Sequence, residues 1–332
     1  MPRRPISFEG RPLLDIASYA HRVPGRRDRL SPEEVELISR TVHRTPEVMV
    51  KVLTRGGQNI GAVRKHFEYL NRKGELEIET DDGQRLGGKG VKRALIDDWD
   101  LDIEEDRRGL NLDARFGRSP PKLVHKILFS MPPGTPPQKV LEAVKNFARE
   151  EFGLKHRYAM VLHTDEPHPH VHMVIKAVSE QGQRLNIRKA TLRAWRTEFA
   201  RHLRTLGVPA NATDRAVRGE SRSPKLDGIY RAEQRGESWR TRVRVEEGGR
   251  ELQTGTLFAE RSKKTLIETR KAVERGWWQV GEILAAQGKK DPAAKIRRFV
   301  SEMSPPRSNR EMIAEELHKD YRDARTREGP TH

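Results

Sequence analysis

Cysteine is absent from the 332 residues, and aromatic residues make up only 6% of them. The missing cysteine excludes disulfides, thiolate chemistry and cysteine-based zinc sites. No run approaches the roughly 18 apolar residues of a membrane-spanning helix. The basic N-terminus is not followed by the apolar stretch of a secretory signal. We therefore expect a cytoplasmic protein without membrane insertion.

Negative charge is also scarce, because 48 Asp and Glu residues face 65 Lys and Arg residues. The net charge of +17 attracts polyanions and raises their rate of encounter with the protein. Nucleic acid is the commonest such partner, and an anionic membrane surface is the rival. No amphipathic helix with a bare hydrophobic face begins the chain. The charge therefore favours a nucleic-acid-binding protein.

Apolar periodicity predicts an α+β fold with a central, mainly antiparallel sheet and flanking helices. The expected strands are rich in β-branched residues and lie at 48–53, 122–130, 157–163 and 170–178, with a hairpin over 75–88. Helical spacing predicts helices near 60–72, 136–152, 191–206, 263–287, 292–302 and 308–325. The composition divides the chain into a polar leader 1–46, a folded domain 47–209, a basic flexible linker 210–262 and a helical region 263–332.

Four of the twelve histidines lie within ten residues, in the stretch HTDEPHPHVH that begins at His163. Side chains alternate faces along a strand, so His170 and His172 point the same way. The opposite face carries apolar residues that look like core, and a short antiparallel return brings His163 alongside. Three protein ligands with an open position are typical of a catalytic metal, and Asp165 is placed to orient one of the histidines. The alternative is a solvated histidine-rich loop.

This segment resembles the third motif of conjugative relaxases, in the endonuclease superfamily named for paired histidines separated by an apolar residue (HUH). The pair here is His170 and His172, and His163 matches the family's third ligand. The context RYAMVLHTDEPHPHVHMVIKAV resembles mobilisation nucleases of the MOBP type, the branch that contains plant-transforming border endonucleases. The similarity covers roughly 47–220 and implies that 47–209 is a relaxase nuclease domain.

Among the five tyrosines, Tyr69 stands out because it follows the first predicted strand, on the polar face of a predicted helix. Its setting, HFEYLNRKGELEIE, resembles the family's first motif, and the resemblance implies that Tyr69 is the nucleophile. A phenol can attack phosphorus and store the energy of the cut bond in a phosphodiester. The alternative is a half-buried packing residue, which is common for tyrosine.

The remaining site candidates follow from the same resemblance. Ser130 is the best match to the family's second motif, a serine that contacts DNA, although it could simply cap a turn. The resemblance also favours Asp165 as the orienting residue. Arg193 and Arg196, on a basic helix, are candidates for phosphate contacts, and solubility is the alternative role for these charges.

Ligand chemistry and the family resemblance predict different metals. Imidazole ligands alone suit Zn, Mn, Ni or Co, whereas the resemblance implies Mg or Mn as the working ion. The resemblance also implies single-stranded DNA at an origin of transfer, relaxosome accessory proteins and a type IV secretion coupling protein as partners, with export to the recipient cell bound to DNA. Rival functions are a rolling-circle replication initiator, a transposase of the same superfamily and a non-catalytic basic DNA-binding protein.

Overall fold

The computed structural model describes residues 16, 29–53, 57–109, 121–221, 261–308 and 311–312. The chain divides into two compact units, one with residues 44–212 and the other with residues 13–43 and 213–332. Most of the leader 1–46, most of the linker 210–262 and nearly all of the helix expected at 308–325 lie outside the described residues. Of the helices that the structure describes, none has the length and apolar character needed to cross a membrane.

The first unit is built on a six-stranded sheet in which every pairing is antiparallel. Its order is β1-β4-β6-β5-β2-β3. The strands are β1 Met49–Val52, β2 Ile78–Thr80, β3 Arg85–Leu86, β4 Val124–Ser130, β5 Tyr158–His163 and β6 His170–Lys176. The first unit also contains helices α2 Ile60–Leu70, α3 Val91–Asp98, α4 Leu101–Gly109, α5 Pro137–Phe152 and α6 Lys189–Thr205.

Strand alternation divides the sheet into two faces with separate cores. Phe129, Val171 and Met173 pack with the apolar sides of α5 and α6 on one face. Val161 and Val174 pack with α2 and α3 on the other. The α+β class, the antiparallel sheet and the flanking helices are confirmed.

Helices α3 and α4 were not predicted from the sequence. Val91, Leu95 and Trp99 are buried at spacings of four residues and form the apolar side of α3 and its C-cap. The ring of Trp99 meets Phe67 of α2 edge to face, with 5.7 Å between centroids. This packing holds α2 against the sheet.

The second unit is helical in its described part. Helix α1, Pro32–Val42, begins with a capping box between Ser31 and Glu34. It shares a core with α7, Arg261–Ala286, and α8, Lys290–Ser301. The helical C-terminal region is confirmed.

Candidate active site

The last turn of α2 places Tyr69 beside the sheet. Leu70 is buried against the sheet, while Tyr69 on the adjoining side of the helix is 49% exposed. The helix ends at Asn71, whose side-chain amide donates to the Gly88 carbonyl at 3.0 Å. Arg72 and Lys73 then adopt positive φ values, so the chain turns sharply after the tyrosine. The turn fixes where Tyr69 and Arg72 lie.

The three histidines converge on the face of the sheet covered by α2. His163 on β5 pairs with His170 on β6, and His172 follows two residues later on the same face. One ligand nitrogen of each ring lies within 4.8 Å of those of the other two. His163 is 1% exposed and His172 is 6% exposed, so the cluster is built into the sheet. This geometry agrees with the alternation seen in the sequence.

Backbone carbonyls set the tautomers of two of these rings. A carbonyl can only accept, so Nε2–H of His163 donates to the Leu70 carbonyl at 3.0 Å. By the same argument, Nδ1–H of His170 donates to the His168 carbonyl at 2.9 Å. Each bond leaves the other ring nitrogen with a lone pair. In His163 that lone pair, on Nδ1, accepts from Arg72 Nη2 at 3.4 Å, and a metal at this nitrogen would replace that contact. In His172, Nδ1 is buried and has no hydrogen-bond partner among the described residues.

Burial favours the neutral form of two rings of the cluster, His163 and His172. Burial, followed by the neighbouring His163 and His170, lowers the pKa of His172 to about 3. Burial also lowers the pKa of His163, against the effect of its bond to the Leu70 carbonyl. Neutral imidazole is the metal-binding form, so His163 and His172 are in the binding form at neutral pH.

Tyr69 lies directly against this cluster. Its ring centroid is 5.9 Å from that of His163 and 5.8 Å from that of His172. The guanidinium carbon of Arg72 lies 4.9 Å from the centre of the tyrosine ring, and Arg72 also forms an ion pair with Asp165. The structure therefore brings together Tyr69, Asp165 and the three histidines.

Asp165 reaches the cluster through Arg72. Arg72 Nη2 lies 3.4 Å from Nδ1 of His163, while its ion pair holds Asp165. From the sequence we expect Asp165 to accept a hydrogen bond from the second ring nitrogen of a ligand histidine. In the structure the Leu70 carbonyl takes that position for His163.

Ser130 lies on the same face of the sheet as the histidine cluster, whereas Arg193 and Arg196 do not. Ser130 pairs with His170 across the sheet and is buried, with its hydroxyl directed at the Met131 carbonyl at 3.4 Å. Arg193 and Arg196 lie on α6, which packs on the opposite face of the sheet. They are therefore separated from the histidines by the sheet itself.

Two contributors to the site were missed as functional residues. His66 stacks on Tyr69, with centroids 6.1 Å apart, and meets His172 edge to face at 6.3 Å. Arg72 joins Tyr69 to Asp165. The signal was present, because His66, Tyr69 and Arg72 follow one another at intervals of three residues along the polar side of one predicted helix.

A second group of possible ligands, Glu150, Glu198 and His202, also has its ligand atoms within 4.8 Å of one another. Arg201 already forms ion pairs with both carboxylates and lies 3.1 Å from the His202 ring nitrogen. The charge of these acids is therefore balanced by a guanidinium, and the group is a poor metal site.

Fold and site together define an α+β domain with three clustered histidines, which could hold a metal ion, beside a tyrosine. Residues 92–207 match the family model described as relaxase, MobA/VirD2-like, nuclease domain. This match confirms the resemblance of this part of the chain to mobilisation nucleases. The matched residues include all three histidines and begin after Tyr69.

Curated relatives point the same way. The chain is 27% identical over 206 residues to the T-DNA border endonuclease VirD2 of Rhizobium radiobacter, covering 54% of this chain and 44% of that protein. It is 25% identical over 207 residues to the T-DNA border endonuclease VirD2 of Agrobacterium fabrum (strain C58), covering 56% and 43%. The match therefore spans less than half the length of these relatives.

Proposed function

We propose that this protein is a relaxase that nicks one DNA strand at an origin of transfer and so initiates conjugative mobilisation. The observation that carries the proposal is the half-exposed Tyr69 in ring contact with two of the three clustered histidines. A nucleophile and a metal-ligand set on one open face are what cleavage by transesterification requires.

In the proposed reaction, the Tyr69 hydroxyl oxygen attacks the phosphorus of the scissile phosphodiester. A bond forms between that oxygen and phosphorus, and the bond from phosphorus to the 3′ oxygen breaks. The phenol loses its proton and the 3′ oxygen gains one, which leaves a 5′-phosphotyrosyl linkage and a free 3′-hydroxyl. Because one phosphodiester replaces another, the reverse step can rejoin the strand without another energy source.

The donor set fits a divalent ion with an open position. Three imidazoles converge, two have tautomers fixed by backbone carbonyls, and the third has a buried nitrogen without a partner among the described residues. His163, His170 and His172 would hold Mg or Mn, with Zn as the alternative that imidazole chemistry favours. When bound, such an ion neutralises charge on the scissile phosphate.

Arg72 and Asp165 position the nucleophile in this scheme. The Arg72 guanidinium lies against the tyrosine ring, and Asp165 holds the guanidinium there. A fixed positive charge beside the ring favours the negative charge that develops on its oxygen during attack. Asp165 thus acts through Arg72. Ser130, in the row of His170, is the proposed DNA contact near the cut.

The wider setting of the reaction is also a proposal. Support comes from the net charge of +17 and from relatives whose names describe endonucleases acting at T-DNA borders. The partners would be single-stranded origin DNA, accessory proteins of the relaxosome and a type IV coupling protein. The protein would act in the cytoplasm and enter the recipient cell with the DNA. Residues 47–209 would be the nuclease domain, with 210–262 as its basic linker.

A covalent-capture assay tests the proposal. The protein is mixed with Mn²⁺ and supercoiled DNA that carries the intergenic region beside its own gene, and the reaction is stopped with SDS. We expect nicked DNA with protein on its 5′ end, and none with Tyr69→Phe or with EDTA. Tyr158→Phe is the matched control, because Tyr158 is buried in the core on the opposite face, and it should retain the adduct.

Two results would contradict the proposed function. An adduct that survives Tyr69→Phe would move the nucleophile elsewhere. Oligonucleotides that tile the same region provide single-stranded substrates independent of supercoiling. If neither DNA form gives an adduct, a non-catalytic DNA-binding protein becomes the better description.

A further inference from the structure

Lys126 lies in a central strand of the sheet, on the same face as the histidine cluster. It sits on β4, two residues from Leu128, which pairs directly with His172. Lys126 itself pairs with Val174, a member of the core beneath α2. It is only 8% exposed. A lysine so deeply placed in a sheet is uncommon unless its charge is paired.

No carboxylate balances this ammonium among the described residues, which show neither an ion pair nor a side-chain hydrogen bond for Lys126. The charged neighbour that acts on it is Lys122, which is repulsive, and burial together with Lys122 lowers the pKa of Lys126. A buried cation without a counter-charge costs free energy of folding. The fold therefore keeps a charge here that does not stabilise it.

Lys126 lies on the side of the sheet that α2 covers, and α2 carries His66 and Tyr69. Burial, and after it the charge of Lys126, lowers the pKa of His66 to about 3. His66 in turn stacks on Tyr69 with an interplanar angle of 14°. Lys126 thus adds positive charge on the face of the sheet where α2 carries His66 and Tyr69.

Lys176 shows how the same sheet treats a lysine with a structural role. It lies on the adjacent strand β6, on the same face, and is also 8% exposed. Glu180 lies 3.7 Å from its ammonium and supplies a counter-charge. Lys126 and Lys176 are thus equally exposed on neighbouring strands, but among the described residues only Lys176 has an acidic partner.

We propose that Lys126 binds a backbone phosphate of the DNA strand that Tyr69 cuts, and that this phosphate is its missing counter-charge. The inference rests on the proposed function for its ligand, because a phosphodiester must approach Tyr69 for attack. It adds a phosphate-binding cation to the histidines and Arg72, on the β4 side of the tyrosine. A phosphate oxygen forms a charge-assisted hydrogen bond with an ammonium.

The first test measures stability without DNA. Lys126→Met removes a buried charge that has no partner and should raise the denaturant midpoint of unfolding. Lys176→Met removes a charge with a partner and should lower that midpoint. If Lys126→Met instead destabilises the protein as much as Lys176→Met does, the ammonium already has a structural partner and the proposal fails.

The second test measures binding in the Tyr69→Phe background, so that no covalent product forms. Fluorescence anisotropy follows labelled single-stranded oligonucleotides from the region beside the gene over a series of salt concentrations. Lys126→Met should weaken binding about tenfold and make the slope of log K against log salt shallower by about 0.7, the value for one phosphate contact. Lys126→Arg should keep the slope, and Lys176→Met should keep both.

The two proposals can fail separately. An unchanged affinity and salt slope for Lys126→Met would overturn the phosphate site even if the wild type forms the Tyr69 adduct. A weaker, less salt-dependent complex would support the phosphate site even if no adduct forms. In that case the proposed cleavage activity would be lost, and Lys126 would be a phosphate contact of a DNA-binding protein.

Discussion

His168 and His170 are separated by one proline, but they contribute different groups to the site. His170 contributes its ring to the cluster, whereas His168 is exposed and contributes its backbone carbonyl to the orientation of His170. A change of side chain at position 168 keeps that carbonyl. The two histidines therefore provide a matched pair for a metal-binding test.

His170→Ala should weaken Mn²⁺ binding by more than about 100-fold, since loss of a ligand costs at least as much as loss of a residue that orients one. His168→Ala should bind Mn²⁺ like the wild type. Isothermal titration calorimetry of both variants makes the comparison. Equal losses would mean that the His168 ring also reaches the metal.

Arg72 places a positive charge against the ring of Tyr69, the proposed nucleophile. Arg72→Gln removes the positive charge beside the Tyr69 ring, and the rate of adduct formation at saturating DNA should fall about tenfold. Arg64→Gln is the control, because Arg64 is exposed on the same helix. An equal fall in both variants would indicate general attraction of DNA, with no special role for Arg72.

At the scale of the elements, helix α6 allows DNA binding to be tested separately from DNA cleavage. Arg193 and Arg196 lie on this helix, on the face of the sheet away from the histidines. The double variant Arg193→Ala/Arg196→Ala should weaken DNA binding and its salt dependence, if the two arginines contact phosphates away from the cut. At saturating DNA the rate of adduct formation should equal that of the wild type. A lower rate there would place the arginines at the cut.

The elements show which parts of the fold can be predicted from sequence. Strands β4, β5 and β6 and helices α2, α5 and α6 follow from runs of β-branched residues or from helical spacing, and each was predicted close to its bounds. Helices α3 and α4 were missed, although the spacing of Val91, Leu95 and Trp99 is helical. The charged residues between them dilute the apolar signal.

The histidine cluster of the site could be predicted from the sequence, but the partners of His163 and Arg72 could not. Alternation along one strand and a short return place the three histidines together, because that geometry is local. The acceptor for His163 is a backbone carbonyl, at Leu70, which has no signature in the sequence. The ion pair of Arg72 with Asp165 joins residues 93 positions apart. Only the folded chain brings such partners together.

For the whole molecule, partly buried histidines make the free energy of unfolding depend on pH in the acid range. Burial, and then Lys122, lowers the pKa of His125 to about 4, from 6.5. Burial and Lys126 lower that of His66 to about 3. Above pH 6.5 both rings are neutral in the folded and unfolded states. As the pH falls below 6.5, the unfolded chain binds protons that the folded one does not, so stability is lost towards pH 4 and below.

His125 allows this dependence to be measured apart from the metal-ligand cluster. His125→Gln should bind about one proton fewer per chain on unfolding at pH values between 4 and 6.5, which makes the loss of stability with falling pH less steep. Denaturant unfolding in EDTA at several pH values gives the slope. An unchanged slope would mean that His125 is protonated alike in both states.

The bond from His163 to the Leu70 carbonyl has a consequence for motion. Carbonyls in the last turn of a helix have no partner within the helix, so such ends open readily and their amides exchange with solvent. Here the end of α2 is hydrogen-bonded to His163, a proposed metal ligand. An ion that immobilises His163 would also slow hydrogen exchange around Tyr69. The backbone that carries the nucleophile would then be most rigid when the site is ready to cut.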